Sequence, residues 1–387
     1  MPRVAFFRPF DLERRFAKSE FSARHLLSPS DCETISTREL LGLEGGAEEE
    51  YLGLRLGYTE TRGDPRLRSE IAALYDGLGS ESILVHSGAE EAILCLFLAC
   101  LSPGDHVVVA APCYQSLAEV PRALGCAVDP WPLREEAGRW SFDIEALERL
   151  LEPRTALVVL NAPHNPTGAL PTRREFDEII ALCREAGALL LSDEVYRCLE
   201  RDPGRRLSSA CEVYENAVSL NVLSKSAGLA GLRIGWLATR RLDILDAVVA
   251  AKDYATICSS APSEFLARIA VRHFGELVDR NRAIIAANLG AIEAFLARWP
   301  DFASWTAPEG GSTGFPRLAP GPLTEGADAD AFSERLLVEA GIMIAPGSSF
   351  GGNIDRFRLG FGRSSLPGAL GALDAWLEGR RGALSRG

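Results

Sequence analysis

Lys225 stands in the segment VSLNVLSKSAGLAGLRIGW, where an apolar run ends in Ser224-Lys225 and Gly228, Gly231, Arg233 and Gly235 follow. Glycines let the backbone approach a ligand closely or take positive φ. An arginine held among them offers a planar fork that grips a phosphate through two N–H bonds. A lysine beside such an anion site suits a Schiff base, because its neutral amine is a nucleophile toward carbonyl compounds. A surface lysine in a glycine-rich loop fits the same letters equally well. The lysine count sharpens the choice. Of 41 basic residues only Lys18, Lys225 and Lys252 are lysines, so chemistry that needs an amine has three places to go.

Two further polar segments also follow apolar runs: NAPHNPTG at residues 161–168 and SDEVY at residues 192–196. An aspartate at a strand end is often only a helix cap, and Asn-Pro often only a turn. Together, however, they offer what a pyridine ring needs. A carboxylate (Asp193) can keep a ring nitrogen protonated, and Asn165 and Tyr196 can hydrogen-bond a ring oxygen.

These residues need a scaffold, and the apolar pattern supplies one. Strands are predicted at Ser82–His86, Val107–Ala111, Ala156–Leu160, Ala188–Ser192 and Val218–Leu223, with helices at Ala89–Leu101 and Arg174–Ala186. Continuous apolar strands alternating with helices predict an α/β fold, a mainly parallel sheet covered on both faces. Such a sheet binds ligands at the carboxyl ends of its strands, where the polar segments fall. Lys252–Ala297 reads as mostly helical, and the rest as a smaller α+β region ending in a helix near Leu366–Glu378. Residues 1–50 read as irregular and charged.

The bulk composition narrows the class. A chain of 387 residues with 47% hydrophobic and 24% charged residues is an ordinary globular protein. A net charge of −12 argues against nucleic acid or an anionic membrane as partner. No apolar run approaches the roughly 18 residues of a membrane span, and Arg and Pro interrupt the N-terminal apolar stretch, so no signal peptide is expected. Nine cysteines without CxxC pairs read as reduced thiols. A cytoplasmic enzyme fits these traits. The five histidines show no metal-ligand spacing, so no metal is expected.

From about Tyr58 to Arg358 the sequence resembles the class I/II aminotransferases of pyridoxal-5′-phosphate (PLP) fold type I. AsnProThrGly, AspGluValTyr, SerLys with Arg eight residues on, and ProGly…PheGly…ArgLeu occur in the family's order and spacing. The resemblance implies a large domain with a seven-stranded, mainly parallel sheet at residues 46–280, and a smaller α+β domain from 1–45 and 281–387. It also implies PLP as cofactor and amino-acid and keto-acid substrates. By position, Lys225 resembles the Schiff-base lysine and Asp193 the partner of the pyridine nitrogen. Tyr196 and Asn165 match the groups on the ring oxygen, with Asn165 also beside the substrate, and Tyr114 matches the aromatic on the ring face. Gly88, Ala89 and Glu90 match the phosphate cradle, which Ser224 and Arg233 would complete. Tyr58 matches a tyrosine that reaches the neighbouring subunit's phosphate, which implies a homodimer. Arg358 matches the arginine for the substrate α-carboxylate; Arg356 and Arg363 are expected to face solvent in salt bridges.

Three places depart from the family pattern. Val222 stands three residues before the lysine, where a Ser or Thr is usual, and Asn221 is the expected substitute for its phosphate contact. LLSPSDCETISTREL replaces the usual Gly-x-Pro-Asp segment, and residues 309–316, EGGSTGFP, vary a loop near the substrate. The first functional expectation is an aminotransferase acting on an L-amino acid. The alternative is a PLP-dependent lyase or cyclase working at the β-carbon, since the loop and the N-terminal departure resemble capreomycidine synthase-like members; Asp31 or Glu33 would then meet a guanidinium. A regulator with an aminotransferase-like domain would need a DNA-binding module, and no helix-turn-helix pattern precedes Tyr58. Gly347–Gly351 fits Gly-x-Ser-x-Gly, but no histidine follows it, so a turn is expected there. His164 is expected to be structural, or to touch the site, and His86 to end a strand.

Overall fold

The computed structural model describes residues 6–324 and 326–385; residues 1–5 of the stretch expected to be irregular lie outside the described residues. The elements that carry the argument are, in chain order, α1 (Asp11–Ser19), β1 (Ile83–His86), α2 (Ala89–Cys100), β2 (His106–Ala111), β3 (Ala127–Glu136) and β4 (Arg139–Phe142). Then come β5 (Thr155–Asn161), α3 (Arg173–Ala186), β6 (Leu189–Asp193), β7 (Ala217–Val222) and β8 (Gly235–Thr239). α4 (Leu242–Lys252), α5 (Phe274–Arg298), β9 (Phe357–Gly360) and α6 (Leu366–Leu384) complete the set.

Eight strands form one sheet in the order β1-β8-β7-β6-β5-β2-β3-β4. β2, β3, β5, β6 and β7 run parallel, while β8 is antiparallel to both β1 and β7. The five predicted runs fall on β1, β2, β5, β6 and β7. Seven strands were expected; the eighth, β4, returns antiparallel along the far half of β3. β3 escaped prediction because it carries Pro130 and Pro132. Both lie in the half that pairs only with β2, and two residues apart they turn their missing N–H to the same open edge.

Alternate residues of one strand feed opposite cores. Val107 and Val109 pack with Leu96 and Phe97 of α2 and Leu245 and Val248 of α4. Val108 and Ala110 pack with Phe176, Ile179 and Ile180 of α3. Burial on both faces, at ~1.5–3 kcal/mol for each large apolar side chain, makes these strands continuous apolar runs. α3 starts at a reciprocal Thr172–Glu175 cap and stops at Gly187 in the left-handed region.

The N-terminal expectation fails. α1 is helical, with Asp11 and Glu13 in its first turn where the helix dipole favours them. Leu12 and Phe16, four residues apart, share a face, and Leu12 is buried. Short helices at Thr37–Leu41 and Ala47–Leu52 follow. Near the C-terminus, β9 lies between two-residue strands at Thr313–Gly314 and Ala345–Pro346. Among the described residues no helix is long and apolar enough to cross a membrane.

The register gathers chemistry on one edge. Asn161 is opposite Asp193, Asp193 opposite Leu220, and both Val222 and His86 are opposite Gly235. The carboxyl ends of β1, β5, β6 and β7 therefore meet there.

Candidate active site

A cleft of about 570 Å³ opens at that edge. Ala89, Glu90, Tyr114, Asn165, Asp193 and Tyr196 line it from the sheet side, and Ser224, Lys225 and Arg233 from the glycine-rich segment. Asn161 sets two of these groups. Its Nδ2 donates to Asp193 O at 2.9 Å, and its Oδ1 accepts from Asn165 N at 2.7 Å. Asp193 is buried, and burial pushes its carboxyl up to about 7, against the pull of the Val195 N–H and the Lys225 charge. Lys225 Nζ lies 5.8 Å from the centre of the Tyr196 ring and donates to Ser30 Oγ at 2.8 Å.

The anion end is built at the turn from β1 into α2. Gly88 has φ 89° there, and a Cβ on it would sit 2.4 Å from Arg233 Nη2. Only glycine lets this backbone lie against that guanidinium, at a helix N-terminus that favours anions. Behind it, Glu91 accepts from Ser87 N at 2.6 Å and pairs with the buried Lys252 at 3.1 Å, which braces the turn. Tyr196 Oη and Ser224 Oγ are buried without a hydrogen-bond partner. Buried polar atoms are normally paired, so two such atoms in one cleft, an anion cradle and a carboxylate opposite fit PLP. Ser224, Arg233 and the Gly88–Glu90 backbone would hold its phosphate, Asp193 its ring nitrogen, and Tyr196 with Asn165 its ring oxygen.

Arg358, on β9, is buried against the cleft. Its Nη2 and Nε donate to Ser28 O at 2.8 and 3.2 Å, and its Nη1 to Asn165 Oδ1 at 3.2 Å. Arg356 is not solvent-facing as expected. It precedes β9, so strand alternation does not govern it, and it is buried beside the Trp140 ring, donating to Phe315 O at 3.0 Å and pairing with Glu135. Arg363 is half-buried and lines the cleft, pairing with Asp31 through 2.9 and 2.8 Å hydrogen bonds. Asn221 does not replace the missing hydroxyl at Val222, because its Nδ2 is 3.4 Å from Tyr75 Oη, away from the cleft.

The remaining sites sort as follows. Tyr58 is 91% exposed and lies outside the cleft of its own chain. Tyr114 donates its hydroxyl to Glu13 Oε1 at 3.0 Å. His164 is structural: its Nδ1 is 2.8 Å from Thr167 Oγ1, and burial pushes its imidazole down to about 3. Gly347–Phe350 forms a short 3-10 turn, and His86 ends β1. Of the two candidates for a guanidinium, Asp31 lines the cleft, whereas Glu33 accepts from Ser364 N at 2.8 Å outside it. Glu13, Phe16 and Glu20, on and just after α1, also line the cleft and were not foreseen. The Leu12–Phe16 spacing was the signal for that helix.

The class I and II aminotransferase family model matches residues 46–366. The chain belongs to this family. Its members are PLP-dependent enzymes that use amino-acid and keto-acid substrates, and PLP is the cofactor. Over 380 residues the chain is 33% identical to capreomycidine synthase of Streptomyces vinaceus, covering 96% of this chain and 95% of that protein. It is 30% identical to aspartate aminotransferase of Geobacillus stearothermophilus over 334 residues, 84% of each chain. Among solved structures, a PLP-dependent aminotransferase from Streptococcus suis shares 32% identity at a TM-score of 0.89, covering 96% of this chain and 98% of that one. The PLP-dependent cyclase OrfR shares 29% at 0.88, covering 98% and 99%. These neighbours show the fold to be PLP fold type I.

Proposed function

We propose that the chain removes the α-proton of an L-amino acid with a positively charged side chain and then expels or replaces a β-substituent, a lyase or cyclase outcome. The observation that carries this reading is the charge on the cleft wall next to α1. Glu13, Glu20 and Asp31 face the cleft there with two arginines in reach: Arg363, held to Asp31 at 2.8 Å and 3.9 Å from Glu20, and Arg358, which this reading reserves for the α-carboxylate. Burial raises the Glu20 carboxyl above its ordinary range while Arg363 pulls it back. A substrate cation would relieve this crowding of carboxylates. The match to capreomycidine synthase covers 96% of the chain, whereas the family model begins at residue 46, after this wall.

When bound, PLP supplies the sink for the electron pair left at Cα. In this reading Arg358 takes the α-carboxylate and Lys225 Nζ takes the α-proton. Asp193 keeps a proton on the ring nitrogen, and Tyr114 covers the ring. Tyr58 completes the phosphate site of a second copy in a homodimer. Residues 46–280 form the cofactor-binding part, and 1–45 with 281–387 supply the substrate wall.

Transamination is the second reading, favoured by the family match and the aspartate aminotransferase relative. There Lys225 returns the proton and a keto acid accepts the amino group. Incubation with cationic and neutral amino acids, their β-hydroxylated forms included, with and without keto acids, tests the choice. Ammonia or a cyclised product without an acceptor supports the first reading. Turnover only with an acceptor overturns it in favour of transamination.

A further inference from the structure

Ser30 lies in the segment that departs from the family pattern, 195 positions from Lys225 in sequence, yet its Oγ accepts from Lys225 Nζ at 2.8 Å. The segment has little freedom. Arg358 grips Ser28 O with two N–H groups, and Ser312 Oγ donates to Ser30 O at 2.7 Å. Gly360 N donates to Leu27 O at 2.7 Å, and a Cβ on Gly360 would fall 1.6 Å from Pro29 O. The residue that faces the substrate carboxylate and the hydroxyl on the amine are thus fastened to one short stretch of backbone.

We propose that Ser30 is a positioning residue for Lys225, holding Nζ toward the substrate's α-carbon before and after proton transfer. A hydroxyl both donates and accepts. It donates to Nζ while the amine is neutral and accepts from Nζ once the amine carries the α-proton. The proton passes from Cα to Nζ, and Ser30 rotates its O–H without gaining or losing one. Neither of the other groups facing Nζ can serve both states. Asp193, when ionised, only accepts, and Tyr196 presents its ring.

The inference rests on Lys225 being the base, and the test separates the two. Ser30→Ala, Ser30→Thr and Lys225→Ala are compared with the parent in two measurements. One is deuterium exchange at Cα of a bound amino acid, alongside its dissociation constant. The other is the rate at which the apo chain captures PLP, followed by visible absorption. Misplacing a reacting group by about 1 Å costs on the order of 100-fold. Ser30→Ala is therefore expected to slow exchange by roughly 10–100-fold with amino-acid binding within about threefold, and to slow capture. Ser30→Thr is expected to restore most of both, which a merely structural role would not do. Exchange within about twofold of the parent in Ser30→Ala, while Lys225→Ala abolishes it, overturns the role of Ser30 alone. Exchange that persists in Lys225→Ala overturns the base assignment and the inference together.

Discussion

Replacing Glu13 by Gln removes one charge from the cleft wall and little else. The amide keeps the length of the side chain and a carbonyl that can still accept from the Tyr114 hydroxyl, now bonded to Glu13 at 3.0 Å. A substrate cation about 5 Å from this carboxylate, at an effective dielectric of about 20, gains roughly 3 kcal/mol. Glu13 is only half-buried, so water and salt reduce that to about 1–2 kcal/mol. At 1.4 kcal/mol per tenfold, kcat/KM for a cationic substrate should fall roughly 5–30-fold. The comparison is β-hydroxyarginine against β-hydroxycitrulline, which matches it in shape and leaving group and lacks the charge. The fall is expected for β-hydroxyarginine alone, and it should shrink as salt is raised. An equal fall for both, or none for either, would refute a cation subsite beside α1.

Other expectations follow from the same geometry. Arg358→Lys should raise KM for amino and keto acids roughly 10–100-fold, because an ammonium cannot reproduce the fork (about 1.5–3 kcal/mol for hydrogen bonds to a charged group); an unchanged KM would place the carboxylate elsewhere. Gly360→Ala should destabilise by about 1–3 kcal/mol or more in denaturant titration, since the clash is with backbone. Gly368→Ala, in α6 with nothing within 4 Å of the added Cβ, should be neutral or stabilising by about 0.5–1 kcal/mol. The buried Glu264 carboxyl is pushed by burial from 4.5 to about 7, so between those values the folded chain holds a proton that the unfolded chain has lost. Stability from this group is full below 4.5 and is lost as pH rises through about 7. The stability of Glu264→Gln relative to the parent should therefore improve steadily from pH 5 to pH 8, as read by thermal melts; a constant difference would contradict the shift.

Much of the site was legible because its residues sit at strand ends that the apolar pattern marks. Asp193 closes β6, and Asn165 follows β5 by four residues. Lys225 follows β7 by three, so five apolar runs and three motifs placed the cleft. β3 was hidden because prolines on an open edge break the usual strand composition. The Arg356 error has a similar root, since alternation holds only inside a strand and this residue lies just before one. α1 was hidden because five charged residues in nine mask its single apolar stripe. Its role depends on packing against Tyr114, more than a hundred positions away, and no local pattern records such a contact. The same holds for Ser30 on Lys225.

The measurement that bears most directly on the account is borohydride reduction of the PLP-loaded chain, followed by mapping of the modified peptide. With only three lysines the assignment is sharp. Lys18 is exposed on α1, and Lys252 is buried on Glu91 behind the cradle. The phosphopyridoxyl group should appear on Lys225 alone, and Lys225→Ala should abolish it. A group on Lys252 or Lys18, or an unmodified Lys225 in a chain that retains bound PLP, would contradict the central claim.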